Sequence, residues 1–392
     1  MDRIGIYGGT FNPPHMGHIR GAQYVREQLG LSKLLLIPSC LPPHKELAEG
    51  AVCPEQRLEM LRLCAAEGLE VCDLEIARGG TSYTVDTVTQ LRQMYPDAEL
   101  VLCMGSDMFA IFRQWKDYDT ILKNVSLAVM YRGDKGEKET VAQEKLTLEN
   151  EGAKVYVLEN PVVDISSTNL RRMLVFRCAD PFLDPGVKEY ICRNNLYGAT
   201  QDYRNLPMDK LEQVVVSLLK PNRVRHVLGC RDTAAELARI WGADETDAAR
   251  AGLLHDITKA LDGPAQLTLC SQYDIMLDEF SHNNPKTLHA LTGSFVAERI
   301  FGENKAVVDA IASHTTGKGN MNTLEKIIYV ADYMEPNRDF PGVEELRRLA
   351  YTDLDKALKM GLEMTLNMLR EQKRQISPGS SEALAWLREM GI

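Results

Sequence analysis

The feature that most constrains this chain is a change of hydrophobic period part-way along it. In the first half, short apolar runs ("RIGIY", "KLLLIPS", "LEVCDLEI", "ELVLCMG", "VSLAVMY", "KVYVLE") alternate with helix-like stretches such as "GHIRGAQYVREQL" and "PEQRLEMLRLCAAEG". Strand-like runs separated by helices build βαβ units around a mostly parallel sheet. From about Pro207 onward the apolar residues recur at helical spacing, as in "LEQVVVSLL", "DTAAELARIWG", "LTGSFVAERIF" and "LEKIIYVADYM", and the strand-like runs stop. With 392 residues, the chain is longer than the ~250–300 at which one core tends to split in two. The expectation is therefore an α/β domain over 1–198, a linker over 199–206 within "NLYGATQDYRNLPMD", and an all-α domain over 207–392.

Charge and cysteine usage narrow the chemistry. A formal net charge of −10 provides no basic field to capture nucleic acid at long range, which leaves small anionic substrates carried with a metal ion. The nine cysteines are scattered without a CxxC pair, so neither a disulfide framework nor a zinc ribbon is expected. No apolar run approaches ~18 residues, and "RIGIYGG" follows the first residues without a charged segment and apolar h-region. The expectation is a soluble cytoplasmic protein without membrane or nucleic-acid partners. A homo-oligomer is left open.

"GIYGGTFNPPHMGH" (Gly5 to His18) is a strand ending in glycines, followed by "MGHIRGAQYVREQL" with Ile19, Ala22, Val25 and Leu29 at helical spacing. Glycines at a strand end let a phosphate approach the backbone, and the free N–H groups of the next helix attract anions. His15 and His18 extend that cradle. Neither a GK[ST] P-loop nor a GxGxxG fingerprint is present. A metal pair or two ordinary surface histidines are the competing readings, and no further ligand is visible in this stretch. "DISSTNLRRML" places Ser166, Ser167 and Thr168 at a second helix start with Arg171 one turn on, where the hydroxyls can cap the helix or bind phosphate oxygens.

"GGTFNPPHMGH" and "ISSTNLR" together resemble the nicotinate-nucleotide adenylyltransferases, which carry GGxFxPxHxGH and ISSTxxR. The resemblance covers about residues 1–198 and implies a Rossmann-like nucleotidyltransferase domain. It implies that AMP passes from ATP, with Mg²⁺, to nicotinate mononucleotide, giving nicotinate adenine dinucleotide and pyrophosphate in NAD biosynthesis. By resemblance, Gly8, Gly9, Phe11, His15, His18, Gly105, Asp107, Ile165, Ser166 and Arg171 would bind ATP, with His15, His18 and Arg171 catalytic. Lys45, Tyr83, Thr84, Trp115 and Arg132 would bind the nicotinate nucleotide, Thr84 near the carboxylate and Trp115 stacked on the ring.

In the helical half, "ARAGLLHDITKAL" sets His255 beside Asp256 on an expected helix, with Lys259 a turn later. Of the eight histidines, His226, His255, His289 and His314 fall in separate helical segments, as does Asp332. Imidazoles and carboxylates converging from several helices are how a bundle builds a metal site. Six ligands exceed what one open-sided metal needs, whereas two metals bridged by Asp256 would use them all. "LLHDITK", "TLHALTG", "SHTTG" and "YVADYMEPNRDFPGV" resemble the HD phosphohydrolases, in particular the symmetrical bis(5′-nucleosyl)-tetraphosphatases, over about residues 207–390. The resemblance implies His226, His255, Asp256, His289, His314 and Asp332 as ligands of one or two ions of iron or another transition metal. Asp256 and Lys259 would be catalytic, and Lys259 and Arg338 would hold the polyphosphate. The reaction implied is hydrolysis of diadenosine tetraphosphate to two ADP. Action on another nucleotide phosphoester, or a non-catalytic regulatory or dimerising role, is the alternative for this half.

Overall fold

The computed structural model describes residues 2–43, 52–163 and 165–392. It divides into two compact units, Met1–Thr200 and Gln201–Ile392.

The first unit is a six-stranded sheet in the order β3-β2-β1-β4-β5-β6, with every neighbouring pair parallel. The strands are β1 Arg3–Gly9, β2 Lys33–Pro38, β3 Leu69–Val71, β4 Glu99–Gly105, β5 Ser126–Met130 and β6 Val155–Leu158. The central strands are buried on both faces, Leu34 to Ile37, Leu100 to Met104 and Leu127 to Met130 among them, which is why they read as continuous apolar runs and not as alternation. The chain builds outward from β1 to β3 and then returns to lay β4 on the other side of β1. That reversal opens a crevice at the carboxyl ends of β1 and β4, where open α/β sheets bind ligands.

Four helices bear on that crevice: α1 Met16–Leu29, α2 Thr84–Met94, α3 Ser106–Ala110 and α4 Ser167–Val175. In α1 the residues turned inward are Ile19, Ala22, Val25 and Leu29, the stripe read from the sequence. The run "LEVCDLEI" is a strand only over Leu69–Val71 and turns into a short helix at Leu74–Arg78, with Asp73 at the N-cap position and its side chain making no capping hydrogen bond.

The second unit is helical, with no strand among its described residues. Its functional helices are α5 Val224–Trp241, α6 Glu245–Leu254, α7 Leu288–Val296, α8 Lys305–Ser313, α9 Thr323–Met334 and α10 Leu354–Glu371. Asp244, Asn304 and Asn322 cap α6, α8 and α9 by accepting backbone N–H bonds, the role short polar side chains play at helix starts. Helices α5 and α6 approach so closely at Gly252 that a Cβ there would lie 2.9 Å from Arg231 Cα and from the Cys230 carbonyl. Helix α9 is nearly enclosed, with Leu324, Ile327, Ile328, Val330 and Ala331 buried, so Asp332 is carried on a core element. The segment 199–206 spans the division between the units, and its Tyr203 is buried, its ring tilted at 48° to that of Phe301 with the centres 5.9 Å apart. No helix among the described residues is long and apolar enough to cross a membrane.

Candidate active sites

In the first unit the glycines of β1 do what a close ligand approach requires: Gly8 has nothing within 4 Å of a notional Cβ, leaving open space above the strand end. His15 is the N-cap of α1 and is 3% exposed, while His18 lies one turn on. The two rings stack at 3.6 Å between centroids, and the His15 N–H donates to His18 Nδ1 at 3.3 Å. Burial, reinforced by Arg132, pushes the His15 pKa down to about 3, so this imidazole is neutral at physiological pH. Gly17 lies against it, since a Cβ there would sit 3.0 Å from His15 Nδ1.

Helix α4 is tied to the same loop. Ser166 caps it through Asn169 N–H at 3.1 Å, Ser167 Oγ donates to the Pro13 carbonyl at 3.3 Å, and Arg171 Nη1 donates to the Asn12 carbonyl at 2.8 Å. Two helix N-termini and a guanidinium thereby converge on one loop, a ready-made anion site. The side chains of Phe11 and Ile165, expected at ATP, are 1% and 5% exposed. Phe11 lies edge-on to His18 at 5.0 Å between ring centres, and Ile165 is buried.

Gly105 ends β4 at the crevice, and a Cβ there would lie 2.5 Å from Asp107 Oδ1 and 2.6 Å from Arg132 Nε. Those two groups, expected at ATP and at the nicotinate nucleotide respectively, face each other as an exposed ion pair at 3.3 Å. Glu137 fixes the Arg132 segment by accepting the Ser106 hydroxyl at 2.6 Å and the Arg132 and Gly133 N–H groups at 2.9 and 2.7 Å. Tyr83 caps α2, Thr84 is its first residue, and Lys116 lies 4.3 Å from the Tyr83 ring centre. Trp115 is half-buried, 5.3 Å from Phe112. Lys45 lies outside the described residues.

A buried arginine beneath this loop was not foreseen. Arg57 is 0% exposed and donates to the carbonyls of Thr10, Ser39 and Cys40 at 2.6, 2.6 and 3.0 Å. It joins the loop after β1 to the loop after β2, and no local signal in "PEQRLEML" distinguishes it from a solvated helix charge.

In the second unit, α6 ends at Leu254, and His255 and Asp256 lie in a run of tight turns, not on the expected helix. Ile257 N–H bonds Leu254 O and Lys259 N–H bonds Asp256 O, at 3.0 and 2.9 Å. His255 Nδ1 faces the Gly252 carbonyl at 2.7 Å, which competes for the group that would continue the helix. All six expected ligand residues come together. His226 Nε2 lies 3.3 Å from His255 Nε2 and 3.2 Å from Asp332 Oδ1. Opposite, His289 Nε2 lies 3.2 Å from His314 Nε2. Asp256 stands between, with Oδ2 at 3.7 and 3.5 Å from His226 and His255 Nε2 and Oδ1 at 3.3 and 3.8 Å from His289 and His314 Nε2.

What happens at the other ring nitrogens is equally informative. The Nδ1 atoms of His255, His289 and His314 face the carbonyls of Gly252, Lys286 and Ile311 at 2.7, 2.9 and 2.7 Å, and that of His226 faces Glu335 Oε1 at 3.1 Å. With Nδ1 occupied, each ring turns Nε2 to the centre, the arrangement that orients histidines on a metal. Burial holds the pKa of His255 and His289 well below the ordinary value and pushes that of His314 down to about 4. Three neutral imidazoles and two carboxylates around one small volume fit a divalent ion.

Cations line the rim. Arg223 pairs with Asp256, and Arg338 Nη2 reaches Asp332 Oδ1 at 2.5 Å. Lys259 Nζ lies 2.8 Å from His289 Nε2, its pKa pushed down to about 8 chiefly by burial, with Arg223 and Arg338 acting in the same sense against Asp332. Sequence reasoning did not find Arg223, Glu335, Thr315 or Cys230. Thr315 Oγ1 is 3.1 Å from both His289 and His314 Nε2. Cys230 Sγ lies 3.8 Å from His226 Nε2 and groups with His226, His255 and Asp332 as a set that could hold a metal ion, while burial raises its thiol pKa well above the ordinary value.

Family comparisons match these two constructions separately. Residues 6–173 match the cytidylyltransferase-like family and residues 223–337 the HD domain. A "Probable nicotinate-nucleotide adenylyltransferase" of Desulfatibacillum aliphaticivorans is 36% identical over 217 residues, 50% of this chain and 99% of its own. The chain belongs to the nicotinate-nucleotide adenylyltransferase family through its first half and to the HD-domain family through its second. In that second half a symmetrical bis(5′-nucleosyl)-tetraphosphatase of Halalkalibacterium halodurans is 40% identical over 174 residues, 43% of this chain and 90% of its own. A solved HD superfamily hydrolase of Clostridium acetobutylicum is 38% identical, covering 47% of this chain and 98% of its own with a TM-score of 0.46.

Proposed function

We propose that the chain is a bifunctional nucleotide enzyme. Its first half transfers AMP from ATP, carried with Mg²⁺, to nicotinate mononucleotide; its second half hydrolyses diadenosine tetraphosphate to two ADP. The relatives' names suggest both substrates, and one observation in each half supports the chemistry.

For the transferase, that observation is the loop held between β1, α1 and α4. An oxygen of the acceptor's phosphate monoester attacks the α-phosphorus of ATP, the new P–O bond forms as the bond to the β-phosphate breaks, and pyrophosphate leaves. A phosphate monoester is already ionised, so the protein's task is alignment and charge stabilisation. His18, the first N–H groups of α1 and α4, Ser166 and Arg171 supply donors to the triphosphate. Neutral His15 adds a donor without adding charge. Glycine at 105 leaves room for the Asp107 and Arg132 side chains, which offer an acceptor to a ribose and a donor to a phosphate. The helix start at Tyr83 and Thr84 and the Trp115 face offer a carboxylate donor and a stacking surface for the pyridine. Competition assays with nicotinate mononucleotide, nicotinamide mononucleotide and pantetheine phosphate test this, with the nicotinate compound expected to be strongly preferred as acceptor. Preference for either of the others overturns it.

For the hydrolase, the observation is the convergence of four Nε2 atoms on the two oxygens of Asp256. His226, His255, Asp332 and Asp256 would hold one divalent cation, and His289, His314 and Asp256 a second. Such ions, when bound, supply Lewis acidity at phosphoryl oxygens and acidify water. The chain's own groups position the substrate. Arg338, Arg223 and Lys259 offer donors for a polyphosphate along the rim, and the buried walls exclude bulk water from the centre. Symmetrical cleavage places the attacked phosphorus at the middle of the tetraphosphate, so water's oxygen ends in one ADP and the other ADP leaves. Product analysis in ¹⁸O-water checks this: one label in one of two ADP molecules is expected, whereas ATP plus AMP, or no turnover, contradicts it.

A further inference from the structure

The two halves of the histidine cluster are not equivalent, and Glu335 is the residue that most distinguishes them. Three of its four histidines rest Nδ1 on backbone carbonyls. His226 alone rests on a carboxylate, Glu335 Oε1 at 3.1 Å. That carboxylate is 1% exposed and is itself held, its Oε2 accepting from Asn337 N–H at 2.8 Å and Asn337 Nδ2 at 2.7 Å. The helix facing it makes room: a Cβ at Gly229 of α5 would fall on Glu335 Oε2. A buried acid is admitted here at the expense of a close helix approach, and its free oxygen points at a ligand histidine.

The surroundings differ in the same sense. The His226 and His255 side is faced by Asp332, Asp256 and Glu335, against Arg223 and Arg338. The His289 and His314 side is faced only by Asp256, and Lys259 Nζ stands 2.8 Å from His289 Nε2, where it competes for the lone pair a cation would use.

Resting on the reading of this cluster as a two-cation site, we propose that Glu335 is a positioning residue that makes the His226 side the tighter of two unequal cation positions. A carboxylate accepting the His226 Nδ1–H fixes the tautomer and strengthens Nε2 as a donor, an effect that outer-shell partners exert at roughly 10- to 100-fold in metal affinity. The second position, short of one carboxylate and opposed by Lys259, fills at higher metal concentration.

The test is a Co²⁺ titration of the chelator-treated full chain, followed by visible absorption. The wild type should take up Co²⁺ in two steps with separable spectra. Glu335→Gln should weaken the first step by about 10- to 100-fold, shift its absorption bands and leave the second step in place. Asn337→Ala, at an exposed residue that braces Glu335, should move the same step in the same direction by less and guards against a misfolded Glu335 variant. Two equal steps in the wild type, or a loss confined to the second step in either variant, overturns the proposal. Failure to cleave diadenosine tetraphosphate while the two unequal steps persist would instead remove the substrate reading and leave this one standing.

Discussion

The two candidate sites are built in opposite ways. The cradle of the first unit is largely backbone: Gly8 leaves open space at the end of β1, the helix starts at Met16 and Ser167 present N–H groups, and the buried His15 is neutral. The cluster of the second unit is almost wholly side chain, with His226, His255, Asp256, His289 and His314 each under 10% exposed and drawn from four chain segments. A site of the first kind is preformed by topology and takes a charged ligand from solvent. One of the second kind concentrates buried polar groups that are costly until something satisfies them. The comparison teaches that phosphate chemistry can be lodged either in the peptide backbone or in a cation cluster, with different vulnerabilities.

The largest effect that could break this comparison is a separation of activities. Asp256→Ala removes the carboxylate that stands between the two histidine pairs, so loss of two bridged cations should lower tetraphosphate hydrolysis by ~10³-fold or more, equivalent to several kcal/mol of transition-state stabilisation. Steady-state kinetics on the same protein should show adenylyl transfer unchanged. Next, Arg171→Ala removes the donor that ties α4 to the Asn12 carbonyl and should lower adenylyl transfer by roughly 10²-fold without affecting hydrolysis.

Two core substitutions sharpen the contrast in stability. Gly252→Ala puts a methyl group against the backbone of α5, which overpacking places at about 1–3 kcal/mol. Chemical denaturation should show the second unit weakened and the first untouched. Arg57→Met leaves three loop carbonyls without their donor, a loss of about 1–3 kcal/mol for unsatisfied buried groups, seen this time only in the first unit.

Proton linkage adds a pH-dependent effect in the first unit. The folded pKa of His15, about 3, lies below the unfolded value of ~6.5. The folded state thus binds fewer protons between those values, and stability is present above pH ~6.5 and lost as pH falls toward 3. Acid titration of the first unit's unfolding should show this slope, and His15→Asn, which keeps a capping side chain, should flatten it.

Legibility in the sequence followed the same division. The strands, the α1 stripe and the convergence of "GGTFNPPHMGH" on "ISSTNLR" were readable because each is a contiguous run whose period or spacing states its geometry. The six expected ligand residues were readable as a converging set from chemistry and resemblance together, although no spacing relates His226 to Asp332. Glu335, Arg223 and Arg57 were not readable. Glu335 reaches His226 across 109 positions, and Arg57 looks like any helix charge until the loops close over it. "LEVCDLEI" has the apolar content of a longer strand, yet the strand stops at Val71 and a short helix starts at Leu74. Motif grammar records local structure, and the residues that brace a site across the fold leave no local trace.

The central claim is that one chain carries two independent phosphoanhydride chemistries, the second dependent on Asp256. The most direct measurement supplies purified protein with diadenosine tetraphosphate and Fe²⁺, Co²⁺ or Mn²⁺, and in parallel with ATP, Mg²⁺ and nicotinate mononucleotide, and resolves products by chromatography for wild type and Asp256→Ala. The account predicts ADP as the sole product of the first reaction, absent in the variant, with nicotinate adenine dinucleotide formed equally by both proteins. Hydrolysis that survives in Asp256→Ala, or is absent from the wild type with every metal, contradicts it.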